Sequence, residues 1–259
     1  MKDERLLIRE TAVDRVDVDG ALAAVRGFLN APRESGSLRS ALIVTPNCEI
    51  ARSALKDADL RAALDAADLV IPDGAGMYLS SKILGEPLPQ RMAGIDLCFE
   101  ILRLCAAEGR KVFILGGKAC APCFSGWSAG KSVAQLAAQR LAEQIPGLKV
   151  CGTRDGYFSD AEEIGVVDQI NESGADFLVA GLGSPRQELF LFRNLKDLRC
   201  KACMGVGGSL DVWSGCLKRA PEWMTRCGLE WLYRLWQEPR RIRRIASIPG
   251  FMAGVLLRR

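Results

Sequence analysis

Histidine is absent from all 259 residues, and this removes more chemistry than any other feature of the composition. A Ser–His nucleophile and a zinc site with an imidazole ligand are both excluded. A general base must then be a carboxylate or, less readily, Lys, Tyr or Cys. Long apolar runs are missing as well. No stretch reaches the roughly 18 consecutive apolar residues that a membrane-spanning helix needs. The longest candidate, residues 245–257, has 13 residues and contains Pro249, Gly250 and Gly254, which suits an interfacial or buried segment. The first ten residues alternate in charge around a short Leu-Leu-Ile run, so no secretory signal is read there. Internal repeats and low-complexity tracts are also lacking.

What is present reads as globular: 49% hydrophobic and 25% charged residues, in a length suited to one large α/β domain with an appendage. Without an export signal, the ten cysteines read as reduced cytosolic thiols, mostly in apolar contexts where Cys behaves as a small hydrophobe. The formal charge of +4 is unevenly spread. Residues 218–259 hold ten Lys/Arg and three Glu, a net of +7, which leaves −3 on residues 1–217. The basic, partner-facing part is therefore the C-terminus.

Six short apolar runs end in Gly, Pro, Asn or Asp: residues 41–45, 68–72, 111–115, 148–152, 176–181 and 202–207. Each reads as a strand buried on both faces, which favours a parallel sheet. Helix-length stretches lie between them at 50–67, 95–108, 132–144 and 160–173. The alternation specifies an α/β fold, a Rossmann-like, mostly parallel sheet flanked by helices, with ligands bound beyond the carboxyl ends of the strands. Residues 219–236 continue in helical period and hold three of the five tryptophans; Pro239, a run of four arginines within 240–244 and the apolar 245–257 segment follow. The expected organisation is a Rossmann-like domain over 1–218 and a helical basic appendage over 219–259.

The expected strand ends carry the candidate chemistry. Pro72-Asp73-Gly74-Ala75-Gly76 puts a carboxylate at one of them, where it serves either as a general base or as a helix N-cap. Thr45-Pro46-Asn47 offers a hydroxyl and an amide, or simply a capped turn. Glycine turns at Gly116-Gly117, Gly181-Leu182-Gly183 and Gly205-Val206-Gly207-Gly208 can cradle a diphosphate through backbone N–H groups. Gln187-Glu188 opens the next helix and faces the same crevice, with capping as the plain alternative.

Several attractive motifs fail. Arg186 stands where a dinucleotide fingerprint beginning at Gly181 needs its third glycine, which argues against a nicotinamide-dependent oxidoreductase. Residues 126–132 resemble a phosphate-binding P-loop but are one residue short and do not directly follow a strand. Cys120-x-x-Cys123 and Cys200-x-x-Cys203 are too far apart in sequence for a persuasive four-thiolate zinc site. Asp17-x-Asp19 caps a helix and Asp57-x-Asp59 lies within a helical pattern, so no metal is expected. Arg240–Arg244 looks like a phosphate patch. A basic nucleic-acid-binding module is the alternative reading, but it leaves the strand-end carboxylate and the glycine turns unexplained, so no nucleic-acid partner is expected.

Taken in order, Thr45-Pro-Asn47, Pro72-Asp-Gly-Ala-Gly76, Gln90-Arg91-x-x-Gly94-x-Asp96, Leu115-Gly-Gly117, Asp155-Gly-Tyr-Phe158, Gly181-Leu-Gly-Ser-Pro-Arg-Gln-Glu188, Gly205-x-Gly-Gly208, Arg219-Ala-Pro221 and Gly228-Leu-Glu-Trp-Leu-Tyr-Arg234 with Glu238-Pro239 resemble the WecG/TagA/CpsF family (glycosyltransferase family 26) over roughly residues 10–250. The resemblance implies an inverting transferase. It moves N-acetylmannosamine, its uronic acid or glucose from a UDP-sugar donor to a polyprenyl-diphosphate-linked acceptor in surface polysaccharide synthesis. It also implies self-association as a homo-oligomer. The appendage arginines with Trp231, Tyr233 and Trp236 make a basic, aromatic-edged surface suited to anionic headgroups, so a cytoplasmic location peripheral on the inner face of the membrane is expected, and no cofactor. Asp73 matches the proposed base, Thr45, Asn47, Arg91 and Gln187 match pocket residues, and Arg234, Arg241 and Arg244 match arginines proposed to close the site. Residues 119–132 are longer than the family pattern after the Gly-Gly turn.

Overall fold

The computed structural model describes residues 5–32, 39–119, 130–237 and 247–257. Two short strands, β1 (Leu6–Ile8) and β2 (Thr11–Val13), form an antiparallel hairpin, and helix α1 (Val18–Asn30) follows. The central sheet uses β3 (Ala41–Val44), β4 (Leu69–Val70), β5 (Lys111–Gly116), β6 (Lys149–Arg154), β7 (Phe177–Gly181) and β8 (Ala202–Gly205). All neighbours pair in parallel, in the order β4-β3-β8-β7-β5-β6. Between and after them run α2 (Cys48–Ala54), α3 (Ala58–Ala66), α4 (Gly74–Ile83), α5 (Gly94–Ala107), α6 (Val133–Gln144), α7 (Glu163–Glu172), α8 (Arg186–Arg193), α9 (Ser209–Trp213), α10 (Glu222–Arg226), α11 (Glu230–Gln237) and α12 (Ser247–Leu256). The expected doubly wound α/β fold is present.

Strand alternation divides the core between the two faces of the sheet. Leu42, Val44, Phe113, Leu115, Leu178 and Cys203 pack on one face with α2, α3, α4, α7, α8 and α12. Ile43, Val112, Ile114, Phe177, Val179 and Met204 pack on the other with α1, α5, α6 and α9. The helices that follow β3 thus lie on one face and the helix that follows β8 on the other, although β3 and β8 are neighbours. Their carboxyl ends form the topological switch point, the place where open α/β sheets bind ligands in a crevice.

Four expectations need correction. The 148–152 run forms β6, but β6 is an edge strand and only half-buried. The 50–67 stretch is two helices, because Asp57 breaks it and caps the second: its carboxylate accepts from Leu60 N at 3.0 Å. Asp57 therefore starts a helix instead of lying inside one. Residues 219–236 are likewise divided, with Gly228 at φ +76° between α10 and α11. The N-terminal hairpin was not foreseen, since three-residue strands carry too little periodicity to read. It covers the β4 edge through Asp14, whose N–H donates to Val70 O (2.9 Å) and whose carboxylate accepts from Val70 N (2.7 Å) and from Arg5 Nε (2.9 Å). Sealing an edge this way removes a site for unwanted strand pairing.

The apolar segment near the C-terminus is part of the core. Phe251 and Val255 of α12 are each 1% exposed within the cluster that holds α2 and α4. Ser80 of α4 also donates to the Met252 sulfur at 3.4 Å. Among the described residues no helix is long and apolar enough to cross a membrane.

Candidate functional site

Asp73 follows β4 at the head of α4, in the N-cap position with φ −93° and ψ 134°, yet its side chain makes no cap bond to its own helix. Instead Asp73 Oδ1 accepts from Gly94 N at 2.9 Å, the first residue of α5. The peptide N–H of Asp73 donates to Pro46 O at 3.0 Å, and Asp73 bridges to Met92 in parallel register. Three segments distant in sequence therefore fix one carboxylate. Asp73 thus takes the N-cap position of α4 by its backbone, while its side chain holds the first N–H of α5.

Gly94 is the hinge of this arrangement. A Cβ at that position would lie 2.9 Å from Thr45 Oγ1 and 3.2 Å from Thr45 Cγ2, so only glycine lets Thr45 and Asp73 share one neighbour. Thr45 Oγ1 in turn donates to Gly205 O of β8 at a long 3.5 Å. Asn47 caps α2, its Oδ1 accepting from Glu49 N and Ile50 N, both at 3.0 Å. That fixes the orientation of its amide.

Cys48 sits beside this group, but burial, aided by the nearby Asp73 charge, pushes its thiol up to about 12. It stays neutral near pH 7 and is no rival base.

Gln187 is buried at 3% exposure. Its Oε1 accepts from Gly207 N at 2.9 Å and its Nε2 donates to Glu188 Oε1 at 2.8 Å. Both polar ends of this expected pocket residue are thus engaged with protein. The structure brings Thr45, Asn47, Asp73 and Gln187 to the two sides of the switch-point crevice.

Arg91 lies at a different contact. Its Nη2 donates to the Thr225 carbonyl in α10, and Gly228 sits against Arg91 and Ala75. Beside it, Arg219 and Asp96 form an ion pair at 2.6 Å. Residues 219–228 therefore pack on the 91–96 segment that leads from the bridge partner of Asp73 into α5.

The glycine turns stand further along the sheet edge. Gly116 pairs with Gly181, and Gly117 N donates to Gly181 O at 3.1 Å. A Cβ on Gly116, at φ +133°, would fall 2.3 Å from the Gly181 oxygen, so this pair permits close strand approach and the Gly117 N–H is spent inside the protein. Gly183, at φ +79°, has open space around its α-carbon. From β3 to β5 is three strand spacings, about 14 Å of sheet edge, long enough for an extended ligand.

One residue gained its structural role only from the structure. Arg186 donates to Gly156 O (2.6 Å) and Phe158 O (2.7 Å) and lies 4.4 Å from the Phe158 ring centroid. It clamps the 155–158 loop beside the glycine turns and leaves Tyr157 69% exposed. The same Arg186 that defeats the dinucleotide fingerprint has a structural task of its own. A long-range sequence signal for this clamp does not exist.

The Arg234 side chain, Arg241 and Arg244 lie outside the described residues, as do the Arg240–Arg244 patch, Cys120, Cys123 and Trp127. Asp17 caps α1 by accepting from Gly20 N at 2.9 Å. Cys200 and Cys203 are buried and outside any disulfide, with Cys200 beside the Ser40 hydroxyl and Cys203 directed at Ala41 O.

The model of the glycosyl transferase WecG/TagA/CpsF family matches residues 6–259. The chain belongs to that family. Among its relatives is a Bacillus spizizenii protein, 37% identical over 218 residues, which make up 84% of this chain and 79% of the relative. A Bacillus subtilis protein is 36% identical over 83% of this chain and 79% of its own length. One from Staphylococcus aureus strain MRSA252 is 33% identical over 83% and 80%. Each is named N-acetylglucosaminyldiphosphoundecaprenol N-acetyl-beta-D-mannosaminyltransferase.

Proposed function

We propose that this protein transfers N-acetylmannosamine from a UDP-sugar to the sugar of a polyprenyl-diphosphate-linked N-acetylglucosamine, with inversion at the anomeric carbon. The observation that carries the reading is Asp73, a carboxylate fixed at the switch-point crevice of a histidine-free chain, in a family whose similar members bear that transferase name. Asp73 takes the proton of the acceptor hydroxyl as its oxygen bonds to the anomeric carbon. The bond from that carbon to the diphosphate breaks, and UDP leaves with the electron pair. The sugar passes through an oxocarbenium-like state. Arg234, Arg241 and Arg244 carry the diphosphate charge, because forked guanidinium donors match phosphate oxygens. On this account a divalent cation is not required. The product test is mass analysis of the lipid. With a UDP-N-acetylmannosamine donor it gains one N-acetylhexosamine, and an unchanged lipid mass alongside UDP release would reduce the activity to donor hydrolysis.

The position of Gly94 makes the base sensitive to a single methyl group. Gly94→Ala is expected to lower kcat between roughly tenfold and a hundredfold while UDP affinity changes less than twofold. Wild-type kcat in that variant would mean that the Gly94–Thr45 approach does not position Asp73.

The reading also needs a route to a lipid-bound acceptor, and α11 supplies a surface. Trp231 and Leu232 are 43% and 42% exposed, Trp236 is 76% exposed, and Trp223 of α10 is 62% exposed. Exposed indoles beside a basic segment suit an anionic headgroup layer, where each basic residue adds about 1 kcal/mol. This is the basis for a peripheral location on the inner face of the cell membrane. Deleting 219–259 is a poor test because it strips Phe251 and Val255 from the core. The double variant Trp231→Ser/Trp236→Ser is expected to weaken binding to anionic phospholipid vesicles about tenfold, or ~1.4 kcal/mol. Unchanged co-sedimentation would remove α11 from that role.

A further inference from the structure

Glu188 is 3% exposed in the first turn of α8, and its Oε2 has no hydrogen-bond partner. A glutamate three residues into a helix ordinarily reaches back to the N–H of the N-cap residue. Here the N-cap is Pro185, which has no N–H to give. The other oxygen, Oε1, accepts from Gln187 Nε2 at 2.8 Å. Burial raises the carboxyl above the usual glutamate value, opposed by the Gln187 hydrogen bond and then by its own peptide N–H and the Ser184 hydroxyl. A buried oxygen with no partner at full hydrogen-bond geometry costs up to about 1–3 kcal/mol, which its own N–H and the nearby Ser184 hydroxyl offset only in part; its place next to the crevice points to a positioning role.

That role follows from the direction of the Gln187 amide. With Nε2 held by Glu188, Gln187 Oε1 must face Gly207, whose N–H it accepts at 2.9 Å. The same amide lies flat against Gly205, where a Cβ would come within 2.9 Å of Nε2. Gly205 O receives the Thr45 hydroxyl, Thr45 packs on Gly94, and Gly94 N holds Asp73. One continuous series of contacts therefore joins α8, β8, β3 and α5 to the carboxylate at the end of β4.

We propose that Glu188 is a positioning residue: by fixing the orientation of the Gln187 amide it sets the β8 turn against Thr45 and so holds Asp73 in register with the crevice. Its kinetic consequence rests on the transferase reading above, whereas its structural consequence does not. Glu188→Gln keeps an acceptor for Gln187 Nε2 and replaces the orphaned oxygen with an uncharged amide, so it preserves the series. Glu188→Ala removes the acceptor and frees the Gln187 amide to turn.

The experiment is residue-resolved amide hydrogen exchange on the full chain, with kcat and donor KM measured on the same samples. In Glu188→Ala, the Gly207 and Gly94 amides are expected to exchange about tenfold faster, with kcat down about tenfold and donor KM within twofold. Glu188→Gln is expected to restore wild-type values in all four readings. Gly205→Ala, which displaces the amide from the opposite side, is expected to reproduce the Glu188→Ala pattern. Unchanged exchange at Gly94 in both Glu188→Ala and Gly205→Ala would overturn the proposal, whatever the kinetics. Faster exchange at both glycines in a protein that transfers no sugar would uphold the positioning and overturn the transferase reading instead.

Discussion

Asp73→Asn is expected to lower kcat at least a hundredfold while leaving UDP affinity within twofold of wild type. The amide is nearly isosteric and still offers an oxygen to the Gly94 N–H, so the 2.9 Å bond that orients the side chain survives the change. On the proposed mechanism, what is lost is the capacity to accept the acceptor's proton, and general-base catalysis contributes roughly 10²–10⁴ in rate. Among the described residues beside Asp73, the alternatives are poor bases. Histidine is absent from the chain, and the neighbouring Cys48 thiol, at about 12, is protonated near neutrality. Calorimetric UDP binding together with single-turnover kinetics separates the two effects. Near-normal turnover would remove Asp73 from the chemistry, and lost UDP binding would make it a donor ligand instead.

The second large effect concerns stability. Phe251→Ala is expected to cost about 3–5 kcal/mol, the range for emptying a buried phenylalanine site. At roughly 2–4 °C per kcal/mol for a chain of this size, Tm should fall by about 6–20 °C. Phe251 is among the largest fully buried side chains, although it belongs to the last helix of the appendage. It packs in the cluster that also holds Met77 of α4, the helix that Asp73 begins. Thermal unfolding followed by circular dichroism checks the prediction. A Tm shift under 2 °C would mean that α12 is a detachable arm and not part of the core.

These two residues also mark how far the sequence could be read. The sheet was legible because runs such as Phe177–Gly181, buried at every position, have no competing polar face and are bounded by turn residues. Asp73 was legible as a strand-end carboxylate for the same reason. Its partner was not, since Gly94 is 21 residues away and a backbone N–H leaves no mark in a sequence. Residues 219–236 read as one helix because the apolar period continues through Gly228, whereas the chain breaks there at φ +76°. The 245–257 segment was compatible with burial or with an interface. Only packing against α2 and α4 distinguishes the two, and such packing is a tertiary fact. Gln187 stood out by motif, yet its burial and the flip fixed by Glu188 depend on a proline that cannot donate, a consequence visible only when donors and acceptors are counted in three dimensions.

The central claim is sugar transfer to a lipid-linked acceptor without a divalent cation. Its most direct test is UDP release by the purified full chain from a panel of UDP-sugars, with polyprenyl-diphosphate-linked N-acetylglucosamine in detergent and excess chelator present. The account predicts release that requires the acceptor, occurs with UDP-N-acetylmannosamine and persists in chelator. Folded protein that neither binds UDP nor releases it from any donor, with or without added Mg²⁺, would contradict it.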